Sequence, residues 1–291
     1  MKRFFRPSPV SRNTMSEISV ELLKKLTQQI YLKLGLHFDD KKAYFLKTRV
    51  AKRMTALQID SAKDYVFMIS YGDPQGLEMQ ELANLITTNE TYMFREYEQL
   101  QAFANHCLPE VLSNKLARGD QTLRIWCAGC SSGEEAYTLA MLVQEVFPQS
   151  ATWDCKILAT DIDEFMLEKV QAARYGKRSI KDVPEAYREK YLAADGLEWV
   201  VRRKTAGLVQ AMHLNLNDRL SLRVMRGFDF VFCRNVLIYF DDASRKAVVD
   251  HFYTALNPGG YIFLGHSESV GRVTTSFKLK QFENHLVYVK E

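Results

Sequence analysis

The chain has 291 residues, 47% hydrophobic and 25% charged, with a formal net charge of +4: a globular composition, long enough for one large or two ordinary domains. No apolar run approaches the eighteen or so residues of a membrane span, and the N-terminus lacks the apolar core of a signal peptide, so a cytoplasmic protein is expected. The five cysteines, Cys107, Cys127, Cys130, Cys155 and Cys233, are scattered and odd in number, which argues for reduced thiols rather than a disulfide framework.

Residues 1–15 carry Lys2, Arg3, Arg6 and Arg12 with prolines among them, and read as a disordered, solvated basic tail. Residues 19–34 place Leu22, Leu26 and Ile30 on one helical stripe that stops at Gly35, a C-terminal cap. A second helix over 43–57 has the stripe Ala43, Leu46, Val50, Met54 and Leu57. At about 100° per residue, Lys42, Arg49, Lys52 and Arg53 fall on an arc beside it, with Phe45 among them. That arc is either a solvated face or a docking surface for an acidic partner, nucleic acid or an acidic protein helix. After Gly72 and Pro74 a helix over 77–86 runs into a polar stretch at 87–91.

From Leu123 onward strands and helices alternate. Residues 123–127 form a short buried strand, 129–133 a small-residue turn and 134–147 a helix. Such a turn is where open α/β sheets hold nucleotide-like ligands. Its Gly129-x-x-x-Gly133 spacing is not the dinucleotide fingerprint, and Glu134 and Glu135 would repel a pyrophosphate at the helix N-terminus. An acid there suits hydroxyls or a cation better. Cys127 and Cys130 make a C-x-x-C, but no second pair stands at zinc spacing and no metal is expected.

A second strand over 156–160 ends in Asp161-Ile162-Asp163. Asp161 there either accepts the paired hydroxyls of a ribose or caps the helix over 164–172. The alternation breaks at 174–207, where 198–203, a basic turn through Lys204 and Gly207, and Leu208 onward suggest a small hairpin. Residues 209–214 are a third strand ending at Asn215. The run 228–233, FDFVFC, is a central strand ending at Arg234-Asn235, and a helix follows through Ala255. Asn257-Pro258-Gly259-Gly260 reads as a turn before a strand over 261–264. The last fifteen residues read as two antiparallel strands around Glu283-Asn284. Gly265-His266-Ser267-Glu268-Ser269 superficially suggests a nucleophile elbow but lacks the closing glycine, so hydrolase chemistry is not expected.

Five segments in order, TTNETYMFRE from Thr87, CAGCSSGEEAYTLA from Cys127, ATDID from Ala159, HLNL from His213 and FCRNVLIYF from Phe232, resemble the motifs of CheR-type chemoreceptor protein-glutamate O-methyltransferases. The resemblance runs from about residue 16 to the C-terminus. It implies an all-helical N-terminal domain over 16–95, linker helices over 96–120, and a class I, Rossmann-like α/β methyltransferase domain over 121–291. A small antiparallel β-subdomain would be inserted at about 174–207. The implied cofactor is S-adenosylmethionine, with S-adenosylhomocysteine as product.

Carried over by motif, the cofactor contacts fall on Asn89, Thr91, Arg95, Glu134, Asp161, Asn215, Leu216, Asn235 and Val236. Asp161 would take the ribose hydroxyls, the Asn215 region the adenine, and Glu134 the cationic amino-acid end. Arg95 and Tyr239 would lie near the transferring methyl as the catalytic pair. Lys42, Arg49, Lys52 and Arg53 would bind the acidic cytoplasmic helices of chemoreceptors. A monomer is expected, with neither nucleic-acid partner nor membrane insertion. In some members the β-subdomain tethers a peptide at the receptor C-terminus through a glycine-containing loop. The corresponding stretch 192–198 is short with a single glycine, so dependence on that tether is not expected. A nucleic-acid methyltransferase would share the cofactor fold, but Arg234-Asn235-Val236-Leu237 lacks the Pro-Pro-aromatic motif of base amino methylation. A non-catalytic cofactor sensor would leave Arg95 and Tyr239 free to vary, and both match.

Overall fold

The computed structural model describes residues 18–268, 276–282 and 285–291. The tail read at 1–15 and the Glu283-Asn284 turn lie outside them. Between Ile86 and Thr87 the chain divides into two units.

In the first unit, α1 (Val20–Leu34) starts where Ser19 Oγ accepts the Leu22 N–H at 3.2 Å and stops at Gly35, whose φ of 73° is the left-handed conformation of a helix C-cap. Its buried stripe is Leu23, Leu26, Ile30 and Leu34, so the core takes Leu23 where the periodicity suggests Leu22. A single turn at Asp40–Lys42 leads into α2 (Ala43–Leu57), which buries Leu46, Val50 and Met54. Helix α3 (Ala62–Tyr71) packs on α1, and α4 (Leu77–Ile86) on α2. The sequence pattern concealed α3, because Phe67 and Tyr71 put apolar groups on its solvent face and blur the amphipathic contrast.

The second unit opens with α5 (Tyr97–Ala102), a π turn (Phe103–Cys107) and α6 (Leu108–Ala117). Phe103 meets Phe230 and Phe232 edge-on, with ring centroids 5.0 and 5.3 Å apart, an arrangement the aromatic quadrupole favours. These helices therefore pack directly on the sheet. Segment 87–95 also belongs to this unit: the Phe94 N–H donates to Thr138 Oγ1 at 3.1 Å and the Met93 N–H to the Ser179 carbonyl at 2.8 Å.

Seven strands form the main sheet: β1 (Thr122–Ala128), β2 (Asp154–Asp161), β6 (Val209–His213), β7 (Phe228–Cys233), β8 (Leu256–Leu264), β9 (Lys278–Phe282) and β10 (His285–Val289). Their spatial order is β6-β2-β1-β7-β8-β10-β9. The first five run parallel, and β10 is antiparallel to both β8 and β9. Helices α7 (Glu134–Val146), α8 (Glu164–Ala172) and α12 (Asp242–Ala255) connect the parallel strands. Trp126 packs on Phe252 of α12, while its neighbours Ile125 and Cys127 join the core shared with Phe103 and Leu139, so both faces of β1 are covered. The order reverses between β1 and β7, which opens a crevice at their carboxyl ends.

The interruption in the alternation is a three-stranded antiparallel sheet, β3 (Arg174–Gly176), β5 (Glu198–Val201) and β4 (Leu192–Asp195), with α9 (Glu185–Tyr191) before β4. Two sequence expectations change here. The hairpin is β4–β5, turning at Gly196 (φ 63°), and the basic stretch expected as its turn is the short helix α10 (Arg203–Ala206). Asn257-Pro258-Gly259-Gly260 is not a turn before β8 but a bulge within it. Phe228 pairs with Leu256 and Phe230 with Tyr261, and the extra residues are held by Asn257 Nδ2 donating to Asp229 Oδ1 at 2.8 Å. A last short helix, α11 (Arg219–Leu222), precedes β7. No described helix is long and apolar enough to cross a membrane.

Candidate active site

The turn after β1 is built for close approach. The N–H groups of Gly129 and Cys130 both donate to the Thr160 carbonyl, at 2.8 and 2.9 Å, which draws the turn over the end of β2. Gly129 has φ 77°, and a Cβ there would lie 2.5 Å from Val236 Cγ2, so only glycine fits against the loop after β7. Gly133 (φ 92°) starts α7, and a Cβ on it would strike Val170 at 2.9 Å.

Asp161 closes the same turn from β2. Its Oδ2 accepts the Ser131 N–H at 2.7 Å and its Oδ1 the Asp163 N–H at 2.9 Å. Burial raises its carboxyl above the ordinary Asp range, with those backbone donors opposing the shift. Of the two roles open to Asp161 in the sequence, capping α8 falls instead to Asp163, whose Oδ1 accepts the Met166 N–H at 3.2 Å. Asp163 Oδ2 takes the Asn89 side-chain amide at 2.7 Å, which fixes Asn89 beside Asp161. The Leu214 N–H donates to the Asp161 carbonyl at 3.0 Å, and this brings Asn215 and the buried Leu216 to the same corner.

The two acids at the start of α7 part company. Glu134 is 2% exposed and accepts hydroxyls from Ser132 at 2.7 Å and from Ser179, beyond β3, at 2.8 Å. Glu135 turns to Arg234 at 3.0 Å, and burial pushes its carboxyl up despite that partner. Arg234, its side chain 3% exposed, also pairs with Glu96 at 3.0 Å and donates to the Arg95 carbonyl at 2.6 Å. Arg95 itself is half-buried between Phe94 (φ 61°) and Glu96 (φ 54°), with its guanidinium donating to the Glu90 carbonyl at 2.9 Å. Two left-handed non-glycine residues flanking one arginine are strain of the kind that surrounding structure must hold in place. Ser131 (φ 48°) and Asn235 (φ 60°) share that conformation at the same end of the sheet.

Asn89, Glu134, Asp161, Asn215, Leu216, Asn235 and Val236 thus gather at the carboxyl ends of β1, β2, β6 and β7. Thr91 is half-buried on the segment that carries Asn89, and Tyr239 half-buried in the single turn Leu237–Tyr239 after β7. The corner suits a ligand with hydroxyls and a cationic end: it offers two buried carboxylates, a glycine turn, and a buried Ser131 hydroxyl without a hydrogen-bond partner. These residues fit the donor implied by the sequence motifs. Arg234 and Asp163 carried no site role in the sequence reading. Arg234 stands out only as a charge directly ending an apolar strand, and Asp163 as the second acid of ATDID. Among the described residues no group of three His, Cys, Asp or Glu side chains could hold a metal ion.

The arc of α2 belongs to the first unit, and its four cations differ. Arg53 is 16% exposed and makes a bidentate pair with Glu78 at 2.6 and 2.9 Å, plus a contact to Glu81 at 3.1 Å. Glu78 is itself buried and also accepts the Tyr65 hydroxyl at 2.8 Å, so Arg53 serves the helix packing rather than an open charged face. Arg49 stacks on Phe45 at 4.5 Å and donates to the Leu85 carbonyl at 3.0 Å. Lys52 is exposed and Lys42 half-exposed.

Comparison with known proteins agrees with this architecture. Residues 21–87 match the model of the CheR methyltransferase all-alpha domain, and residues 89–286 that of the CheR methyltransferase SAM binding domain. The chain is similar to chemotaxis protein methyltransferase 2 of Vibrio cholerae, 37% identical over 264 residues and covering 89% of each chain. It is 31% identical to the chemotaxis protein methyltransferase of Borreliella burgdorferi, over 89% of this chain and 91% of that one. It is likewise 31% identical to that of Vibrio parahaemolyticus, over 94% and 98%. With a helical unit, a strand-end corner suited to the donor and both domain models matched in order, the chain belongs to the CheR family of S-adenosylmethionine-dependent methyltransferases.

Proposed function

We propose that this protein methylates glutamate side-chain carboxylates on the cytoplasmic helices of chemoreceptors, forming glutamyl methyl esters in sensory adaptation. The observation that carries the reading is the ordered match of both domains, with relatives named chemotaxis protein methyltransferases. S-adenosylmethionine, when bound, supplies an electrophilic sulfonium methyl group. A glutamate of ordinary pKa, about 4.3, is already ionised at pH 7 and needs no general base to attack it. The protein's work is alignment, which can supply roughly 7–11 kcal/mol.

In this reading Asp161 accepts the ribose hydroxyls, Asn215 and Leu216 hold the adenine, and Glu134 receives the ammonium. Asn89, Thr91, Asn235 and Val236 complete the pocket. Arg95 orients a carboxylate, and Tyr239 positions the acceptor. Because ionised Asp161 accepts hydroxyls and its pKa is raised by burial, donor affinity should fall as pH drops through that raised value, above the usual Asp range. Calorimetric titration of S-adenosylhomocysteine against pH should show this inflection in the wild type and lose it in Asp161→Asn. An unmoved profile in the variant would assign the titration elsewhere.

Receptor methylation helices are acidic, and the exposed Lys52 of α2 and the half-exposed Lys42 just before it are the cations to test against them. With methyl-labelled donor, the wild type should label receptor-bearing membranes and not total RNA. Lys42→Glu/Lys52→Glu should lower that labelling several-fold at low ionic strength, with a smaller deficit at high salt and unchanged S-adenosylhomocysteine binding. Full labelling by the double variant at low salt would remove Lys42 and Lys52 from recognition. Label in RNA would overturn the acceptor.

A further inference from the structure

The segment that superficially suggests a nucleophile elbow holds instead a carboxylate that gathers three main-chain donors. Glu268 Oε2 accepts the N–H groups of Asn235 and Gly265, both at 2.8 Å, and Oε1 accepts the Ile238 N–H at 3.2 Å. Gly265 directly follows β8, and Asn235 and Ile238 lie in the loop after β7. One side chain therefore ties the ends of two neighbouring parallel strands. The fit leaves no slack: a Cβ on Gly265 would lie 2.9 Å from the Asn235 nitrogen and 2.9 Å from Glu268 Oε2.

The loop needs such a tie. Asn235 is left-handed at φ 60°, a conformation that asparagine tolerates better than most residues but that its surroundings still help to hold. Val236 beside it stands against the Gly129 turn, where the space is too small for one methyl group. A shift of the loop would therefore disturb the turn after β1 as well. Bonds from backbone N–H groups to a carboxylate are charge-assisted and stronger than neutral ones, so three of them can hold a strained loop before any ligand arrives.

We propose that Glu268 is a positioning residue for the methyl donor: its carboxylate presets residues 235–239, so that Asn235, Val236 and Tyr239 are in place before the donor binds. The inference rests on the proposed role of those three residues. Glu268→Gln keeps the size of the side chain but replaces one acceptor oxygen with a donor, which opposes at least one of the three N–H groups. By calorimetry it should bind S-adenosylhomocysteine at least tenfold more weakly than the wild type, with unchanged stoichiometry and a thermal midpoint within a few degrees. A merely structural role would instead lower the midpoint and the fraction of binding-competent protein while leaving Kd alone. Should the variant fail to fold, as circular dichroism reports, Glu268→Asp carries the same test, because it keeps the charge and withdraws the carboxylate by one methylene. A Kd within twofold of wild type in a folded variant overturns the role of Glu268 alone. A wild-type protein that does not bind S-adenosylhomocysteine overturns the reading of the whole corner, and this inference with it.

Discussion

Replacing Arg234 with alanine is expected to destabilise the α/β unit by roughly 3–5 kcal/mol, the cost of leaving buried ionic partners uncompensated. For a unit of this size that corresponds to a fall in thermal midpoint on the order of 10 °C. The guanidinium pairs with both Glu96 and Glu135 and holds the Arg95 carbonyl, all from a site that water barely reaches. Glu135 is the sensitive partner, since burial already raises its carboxyl while Arg234 pulls it down. Without the arginine its pKa should climb further, so the penalty should be largest near pH 7 and shrink as the pH falls and the carboxyl protonates. Thermal denaturation of wild type and variant across that range checks this. A midpoint change under about 2 °C at pH 7 would mean that the two carboxylates find other partners.

Arg95→Ala should act on turnover rather than stability. Its side chain is half-buried and donates to one backbone carbonyl at 2.9 Å, so its removal opens no large cavity. Methyl transfer should nevertheless fall at least tenfold, because the segment spends two left-handed residues, Phe94 and Glu96, on holding this one side chain in place. The thermal midpoint should stay within a few degrees of wild type. Wild-type turnover in the variant would remove Arg95 from the mechanism and leave the strain without a functional reason.

How much of this was legible without coordinates depended on whether local pattern or tertiary contact decided the matter. FDFVFC reads as a strand because it is a short, strongly apolar run, and every one of its residues is buried; α1 is legible because Ser19 and Gly35 mark its ends. Helix α3 escaped because Phe67 and Tyr71 lie among the charges of its exposed face and weaken the contrast with its buried one. The Asn257–Gly260 stretch has turn chemistry, yet the paired strands on either side keep it inside β8 as a bulge.

The site divides in the same way. Glu134 and Asp161 stand out as acids in a small-residue turn and at a strand end. That Asp163 rather than Asp161 caps α8 depends on which carboxylate the Ser131 N–H reaches across from β1. Arg53 reads as part of a charged arc by helical geometry alone. Only the packing of α4, which presents Glu78 at its side, shows that this charge is already spent. Glu268 lies thirty-three residues from Asn235 in sequence, and no local pattern joins them.

The chemical lability of the product tests the central claim most directly. With methyl-labelled S-adenosylmethionine and receptor-bearing membranes, the label should enter receptor protein and leave it as methanol under mild alkali, as a glutamyl ester must. Label that stays on the protein through alkali treatment would contradict carboxylate methylation.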